Sequence, residues 1–413
     1  MSSTKTVDKN GWKRDAPGAA KEDALHVLER KLRILLIYRK MIPSIRLCGH
    51  CQMEYLAGQG VVEYRALQEM KLKSSDLNWA DIVLLGRLDS WYERRLAELL
   101  HESGRYLVYI IDDDLLNIPP EINSAAYYNK SYIQDNICAM IALSDAIISP
   151  SPKLLKKYAS GKRAIQIEEP ALNPVPYKPH DPNAPVKIGF AGSIDRTGDI
   201  EHILKAALIQ IRQTYGDKVQ FEFFGALPSF AKELKAKCIP YCDSYDEYRQ
   251  TLNALEWDIG LAPMPDTSFH ACKHYNKFVE YAAAGVVGVF SDVEPYKYVK
   301  ELIGNPYMCK NTVEDWLWVL RRTIELSRSR EEKRKSLLTI VCEKYSVERT
   351  AKSLQETICA LDIRKQNKQI IQKRAVVLTG YKIIGVFLRG LWYIEKLMRK
   401  YWTFLNIKQI SFC

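Results

Sequence analysis

The sequence predicts an α/β protein built from two Rossmann-like domains facing a cleft, followed by a helical tail. Three observations predict it. A chain of 413 residues exceeds what one hydrophobic core usually supports, so two domains are expected. Short continuous apolar runs alternate with amphipathic stretches, the pattern of parallel strands covered by helices on both faces. The alternation stops once, at the Pro-rich segment EEPALNPVPYKPHDPNAP (168–185), and then restarts.

Taken in order, residues 1–30 are polar and mixed and read as a tail. The first domain is expected over 31–167, with apolar runs at Arg33–Tyr38, Asp81–Gly86, Tyr106–Ile111 and Ala146–Ser149. Between them lie stretches such as WYERRLAELLH (91–101), whose apolar residues recur at helical spacing. Proline fixes φ and lacks an N–H donor, so residues 168–185 read as a stiff linker rather than a helix or central strand. The second domain, 186–344, restarts with VKIGFAG (186–192), a long helix near 199–214, VQFEFFG (219–225), WDIGLAP (257–263) and VVGVFSD (286–292). A Ser before an amphipathic run marks a helix over 345–361 that crosses back to the first domain. Residues 362–413 form a basic, aromatic tail.

Charge narrows the function classes. The net charge is +11, but residues 362–413 carry eleven Lys and Arg against two acids, which leaves the body nearly neutral. A nucleic-acid-binding protein would carry basic residues on its folded core, so no nucleic-acid partner is expected. The first thirty residues contain no apolar run of signal-peptide type, so a cytoplasmic protein with reduced thiols is expected despite its ten cysteines.

The segment WDIGLAPMPDTSFHACKHYNKFVEYAAAGVVGVFSD (257–292) is the richest in chemistry. A strand ending at Pro263, a loop, and a helix over roughly His274–Ala284 are expected, with Gly285 as the left-handed residue that closes the helix. Helical spacing puts Lys273, Lys277, Glu280 and Ala284 on one face, and Tyr275, Phe278, Val279 and Ala282 on the core face. Two cations near a helix start would hold the phosphates of a nucleoside diphosphate, and a carboxylate further along would hold ribose hydroxyls. A solvated face with a Lys277–Glu280 pair accounts for the same residues equally well.

This segment resembles the donor-binding signature of the group 1 glycosyltransferase superfamily: a Lys, then Lys-Phe-x-Glu-Tyr, then Ala-Ala-x-Gly. The resemblance implies the GT-B architecture, a nucleotide-sugar donor, Lys273 on its diphosphate, Glu280 on its ribose and Lys277 beside them. KIGFAGSIDRTGDIEHIL (187–204) resembles the family's glycine turn. There Gly192 and Ser193 let the backbone approach a phosphate, and Arg196 would stabilise charge on the departing diphosphate. SIRLCGHCQMEYLAGQG (44–60), ADIVLLGR (80–87), YLVYIIDDDLLNIP (106–119) and SDAIISPSPKLLKKY (144–158) follow the order of polysaccharide- and capsule-type members. The likeness thus spans about 33–360. It implies an acceptor-side first domain, a donor-side second domain, and transfer to a glycan or lipid-linked acceptor with retention. Lys273, Arg196 and the backbone near Gly192 would stabilise the leaving diphosphate, so neither a cofactor nor a metal is required. Two departures stand out. Many members carry a Glu eight positions before the ribose Glu, where this chain has Cys272. Many also have Asn before the linker, where this chain has Glu168-Glu169-Pro170.

Other motifs suggest other chemistry. Asp112-Asp113-Asp114 after a strand could hold a divalent metal, as in GT-A-type transferases; Asp112 could instead orient an acceptor hydroxyl, or the cluster could cap the next turn. Cys48-Gly49-His50-Cys51 matches the disulfide-oxidoreductase tetrapeptide, but Leu47 stands where such motifs carry Trp. By family position the stretch is an acceptor-side loop, with Arg46 and His50 as contacts and His50 as a candidate base. Residues 364–408 combine Lys and Arg with Tyr, Trp and Phe, and their apolar run is too short to span a bilayer. They suit a helix lying on an anionic membrane surface, at the inner face, or one packed on the protein itself. A non-catalytic scaffold in a membrane glycan-assembly complex is the competing class.

Overall fold

The computed structural model describes residues 31–361, 363, 379–391, 393 and 394. The expected tail over residues 1–30 lies outside the described residues. So do most of the basic tail residues, 364–378, 392 and 395–413, and Asp362 beside them.

Two six-stranded parallel sheets form the core. The first holds β1 (Arg33–Tyr38), β2 (Glu63–Gln68), β3 (Ile82–Gly86), β4 (Tyr106–Ile110), β5 (Ala146–Ser149) and β6 (Arg163–Gln166), in the order β2-β1-β3-β4-β5-β6. The second holds β7 (Val186–Gly192), β8 (Val219–Gly225), β9 (Lys237–Ile239), β10 (Ile259–Ala262), β11 (Val287–Ser291) and β12 (Met308–Cys309), in the order β12-β11-β10-β7-β8-β9. Two Rossmann-like sheets are therefore present, as the alternation of strands and helices predicts.

Continuous apolar runs become strands buried on both faces because side chains alternate across the sheet. Ile34, Leu36, Ile82, Leu84, Val108 and Ile110 pack into one cluster, while Leu35, Ile37, Val83, Leu85, Leu107 and Tyr109 pack into the cluster on the opposite face. In the second sheet Ile188, Phe190, Phe221, Phe223, Ile259 and Leu261 fill one face, and Ala191, Phe224, Ala262 and Phe290 the other. Four strands have no counterpart in the sequence reading: β2, β6, β9 and β12. β2 (EYRALQ), β6 (RAIQ) and β9 (KCI) are half-exposed edge strands without a continuous apolar run, and β12 has only two residues.

Sheet order fixes where a ligand can sit. In open parallel sheets, ligands bind at the carboxyl ends of strands where the winding reverses. In the first sheet this point lies between β1 and β3, so the segments after Tyr38 and Gly86 line it. In the second it lies between β7 and β10, so Gly192–Arg196 and the loop after Ala262 line it.

Two further helices matter. Val347–Cys359 leaves the second core, where Tyr345 packs, and places Ala351, Leu354 and Ile358 against Ile34, Leu36, Met53 and Leu56 of the first domain. A helix over 379–391 also lies on the first domain. Lys382 donates to the Leu72 carbonyl at 2.6 Å, Arg389 pairs with buried Glu69 at 2.7 Å, and Tyr381 meets Trp91 edge-on. Among the described residues no helix is long and apolar enough to cross a membrane.

Candidate functional site

On the second domain the site begins at the β7 turn. A Cβ at Gly192 would come within 2.8 Å of the Phe190 ring, and one at Gly225 (φ +85°) within 2.3 Å of the Gly192 carbonyl oxygen, so β7 and β8 end in a turn only glycine permits. Ser193 opens a short turn, Ile194–Arg196, that leads into the helix Thr197–Tyr215. Arg196 does not extend freely. Its guanidinium donates to the Pro263 carbonyl at 2.6 Å and pairs with Asp199 at 2.9 Å, which ties the β7 turn to the loop after β10. Ser291 and Asn311 hold that loop from beneath, through Met264 N to Ser291 Oγ (2.8 Å) and Asn311 Nδ2 to the Met264 carbonyl (2.8 Å).

Lys273 sits at the loop's far end, and here the structure corrects the sequence reading. The helix is Asn276–Ala283, not His274–Ala284, and Lys273 is extended (φ −72°, ψ 162°) in front of it. Lys273 therefore shares no helix face with Lys277 and Glu280. The core face is as expected, with Tyr275, Phe278, Val279 and Ala282 buried together. Ala284 is buried there too, rather than facing the ligand side.

Lys277 and Glu280 pair at 2.6 Å, and the pair is not a solvated one. Glu280 is buried and also accepts from the Tyr248 hydroxyl at 2.8 Å; Lys277 reaches that hydroxyl at 3.1 Å. Burial alone would raise the Glu280 pKa, but Lys277, Arg249 and the Tyr248 hydroxyl outweigh it and hold the group below the usual carboxylate range. Tyr281 fastens this helix to the sheet by accepting from Ala191 N (3.3 Å) and donating to the Leu261 carbonyl (2.9 Å). The Lys/Glu helix and the glycine turn are thus joined at the carboxyl ends of β7 and β10.

The first domain faces this arrangement. Lys273 Nζ lies 2.7 Å from Asp113 Oδ1 across the domain boundary. Arg87, which follows β3 with a left-handed φ of +50°, pairs with Asp112 at 3.1 Å and lies 3.9 Å from Asp113. A non-glycine residue in that conformation stores strain of the kind that collects at functional sites. Burial opposes ionisation of Asp113, yet Lys273, Arg87 and Arg196 together keep its pKa below normal. His270, bonded to Thr267 at 2.8 Å, is pushed down to about 4 by burial and by Arg196 and Lys273, and is neutral at pH 7. Arg196, His270, Lys273, Asp113 and Arg87 therefore form one electrostatic group spanning the cleft.

No family model matches the chain, and no curated protein matches it by sequence. Solved structures do match. HepE of Anabaena, in complex with UDP and glucose, superposes with a TM-score of 0.52 at 14% identity, covering 80% of this chain and all of that one. A glycosyltransferase from Rickettsia africae gives 0.54 at 12% identity, covering 81% and 99%. A UDP-forming α,α-trehalose-phosphate synthase from Burkholderia xenovorans gives 0.52 at 10%, covering 82% and 100%. The chain has the GT-B fold.

Within the GT-B cleft the remaining candidates separate. Of the three aspartates, Asp112 is engaged by Arg87 and Asp113 by Lys273, while Asp114 turns into its own domain to meet Lys157 (2.6 Å), Tyr158 and Asn117. The cluster thus disperses onto cations instead of converging on one point, as a metal would require. His50 bonds Tyr64 at 2.9 Å and lies 3.4 Å from Glu54, both first-domain groups, and burial lowers its pKa. It does not join the group around Lys273. Arg46 does cross the boundary, to Asp246 at 2.7 Å. Cys48 and Cys51 are free thiols; Cys48 is buried, donates to Glu169 at 3.0 Å, and has a pKa pushed well up by burial, the opposite of a redox-active thiolate.

Sequence reasoning missed Arg87, His270, Tyr248 and Arg249. Arg87 had a signal, as the residue closing an apolar strand at a switch point in LLGR. Tyr248 and Arg249 had none, because their roles depend on a contact made about thirty residues away.

Proposed function

We propose that the protein transfers a sugar from a nucleotide-sugar donor to a hydroxyl of a glycan or lipid-linked acceptor. The observation that carries this is the meeting of Lys273 and Arg196 at the β7–β10 switch point, opposite Asp113 and Arg87. The fold and the HepE complex with UDP and glucose support it. In this reading the diphosphate lies over Gly192 and Ser193, with Arg196 and Lys273 balancing the charge that develops as the bond from C1 to the phosphate oxygen breaks. Glu280, held ionised beside Lys277, accepts ribose hydroxyls. The acceptor oxygen attacks C1 from the first-domain side, with Asp112 or Asp113 orienting its hydroxyl, and its proton passes to the departing diphosphate oxygen. Two cations on the leaving group make a metal unnecessary, so activity should survive EDTA. Retention at C1 follows the group 1 resemblance, although Cys272 supplies no carboxylate there.

The test is a transfer and hydrolysis panel over UDP-, GDP-, TDP- and CMP-sugars. Lys273→Ala and Glu280→Ala should abolish turnover in folded protein, and full activity in either variant refutes the assignment. A non-catalytic scaffold would show no thermal stabilisation by any nucleoside diphosphate.

We also propose attachment to the inner face of an anionic membrane through the tail. The helix over 379–391 docks on the first domain through Tyr381, Lys382, Gly385 and Arg389, and exposes Ile383, Val386, Phe387 and Leu391. A helix that turns its apolar side outward, in a tail rich in Lys and Arg, suits a lipid surface. Equal pelleting with phosphatidylserine liposomes by the full chain and by a chain ending at residue 361 would refute it.

A further inference from the structure

The dipeptide Glu168-Glu169, which departs from the Asn that many group 1 members carry before the linker, has no role in the proposed transfer, yet its side chains touch both domains. It starts the segment joining β6 to β7. Glu169 is 2% exposed and accepts the Cys48 thiol of the first domain at 3.0 Å. Its other oxygen lies 3.8 Å from Nδ1 of His274, whose side chain is only 3% exposed. Glu168 accepts the Tyr275 hydroxyl at 2.5 Å and lies 3.7 Å from His274 Nε2. Buried Gln52 completes the contact by donating to the carbonyls of Leu47 and Glu168, at 2.8 and 3.1 Å. His274 and Tyr275 are the two residues immediately after Lys273.

We infer that Glu169, with Glu168, is a positioning residue: the carboxylate pair grips His274 and Tyr275 and thereby sets the loop carrying Lys273 against the first domain. The geometry gives each carboxylate a separate job. Glu168 fixes the Tyr275 ring, which packs on Tyr298 and Tyr345 and anchors the loop to the second core. Glu169 faces the other way, with one oxygen on the Cys48 turn and one on His274. Lys273 sits between the short turn His270–Cys272 and the helix that begins at Asn276, so its reach depends on where the next residues, His274 and Tyr275, are held.

The charges agree with this arrangement. Facing Glu169 are His274, the Cys48 thiol, Asp112 and Glu280. Burial pushes the Glu169 pKa up to about 7, partly offset by His274. Glu168, Glu169 and Asn276 raise the His274 pKa against its burial. His274 thus gains its charge beside Glu169, while burial holds back the ionisation of Glu169 that His274 favours. Among the described residues Glu169 Oε2 has no hydrogen-bond partner, and the His274 Nδ1 it faces at 3.8 Å is bonded to Asn276 Oδ1, so the contact between Glu169 and His274 is electrostatic. Substitution of either one should therefore release the loop.

The binding part of the test rests on the nucleotide-sugar reading; the exchange part does not. Full-length protein, wild type and Glu169→Gln, is titrated with UDP and with uridine, and amide hydrogen exchange is followed over residues 270–276. Gln keeps the shape and the acceptor for Cys48 but removes the charge facing His274. The expected result is UDP affinity lowered about tenfold, or about 1.4 kcal/mol, with uridine affinity unchanged and exchange at 270–276 accelerated. Unchanged UDP affinity with unchanged exchange overturns the inference. So does a parallel fall for both ligands, which would mean general loss of structure. If wild type binds neither ligand, the nucleotide-sugar reading fails and the exchange rates alone decide whether Glu169 holds the loop. His274→Gln tests the same contact from the other side should Glu169→Gln not fold.

Discussion

Asp113→Asn should tighten UDP binding, and the structure sets the size of the effect. Lys273 is held by Asp113 at 2.7 Å, with side-chain exposures of 22% and 26%. To serve a diphosphate, Lys273 must share or give up that contact. Fully exposed ion pairs contribute about 0–1 kcal/mol, whereas breaking a buried pair costs about 3–5 kcal/mol. A quarter-exposed pair falls between, at about 1–2 kcal/mol, which corresponds to a five- to thirtyfold change in affinity at about 1.4 kcal/mol per decade. The assay is calorimetric titration of UDP into wild type, Asp113→Asn, Lys273→Met and the double variant. Asp113 also lies near Arg87 and Arg196, so removing its charge changes the wider potential; the double-mutant cycle isolates the Lys273 part. The gain should vanish in the Lys273→Met background and shrink in high salt. No gain in the single variant, or the same gain without Lys273, refutes the reasoning.

Other outcomes follow from the same geometry. Glu280→Gln should lower stability by about 1–3 kcal/mol in urea titration, because it removes the charged acceptor shared by Lys277 and Tyr248. Since the folded pKa of Glu280 is depressed, its stabilisation is present above its ordinary value of 4.5 and lost as pH falls through the lowered one, so the variant should show less acid sensitivity in that window. His270 gives a different window. Its folded pKa of about 4 lies below the ordinary 6.5, so the unfolded chain binds the extra proton and stability falls as pH drops from 6.5 to 4. The full shift corresponds to about 3 kcal/mol, or about 2 after partial solvent screening, and His270→Gln should flatten that slope. Phe387→Glu in the full chain should reduce liposome pelleting without changing UDP affinity, and undiminished pelleting would count against the exposed helix face as the contact.

The sequence was legible where its information is local. Runs such as ADIVLLG and KIGFAG declare buried parallel strands, and two such series separated by prolines declare two sheets. The glycine turn at Gly192 was readable for the same reason, since the requirement for glycine arises from neighbours in the strand. The start of the Lys/Glu helix was not readable. His274 and Tyr275 continue the helical spacing of the apolar residues, but their side chains are drawn to Glu168 and Glu169, more than a hundred residues earlier, and the helix begins only at Asn276. The separation of Asp112, Asp113 and Asp114 was hidden likewise. Three identical residues in a row meet three different cations, one of them 160 positions away. Local pattern shows which residues could do chemistry, and only tertiary contacts show which of them face one another.

The path of the backbone has one more consequence. The chain passes between the sheets at Glu168–Pro170 and again at Tyr345–Val347, and the two passes are hydrogen-bonded to each other where Ala171 N meets the Tyr345 carbonyl at 2.7 Å. Two adjacent straps leave the halves free to open like a book about one line but oppose twisting or sliding. A single protease cut in either strap would leave the halves tethered by the other, but without the paired passes that oppose twisting.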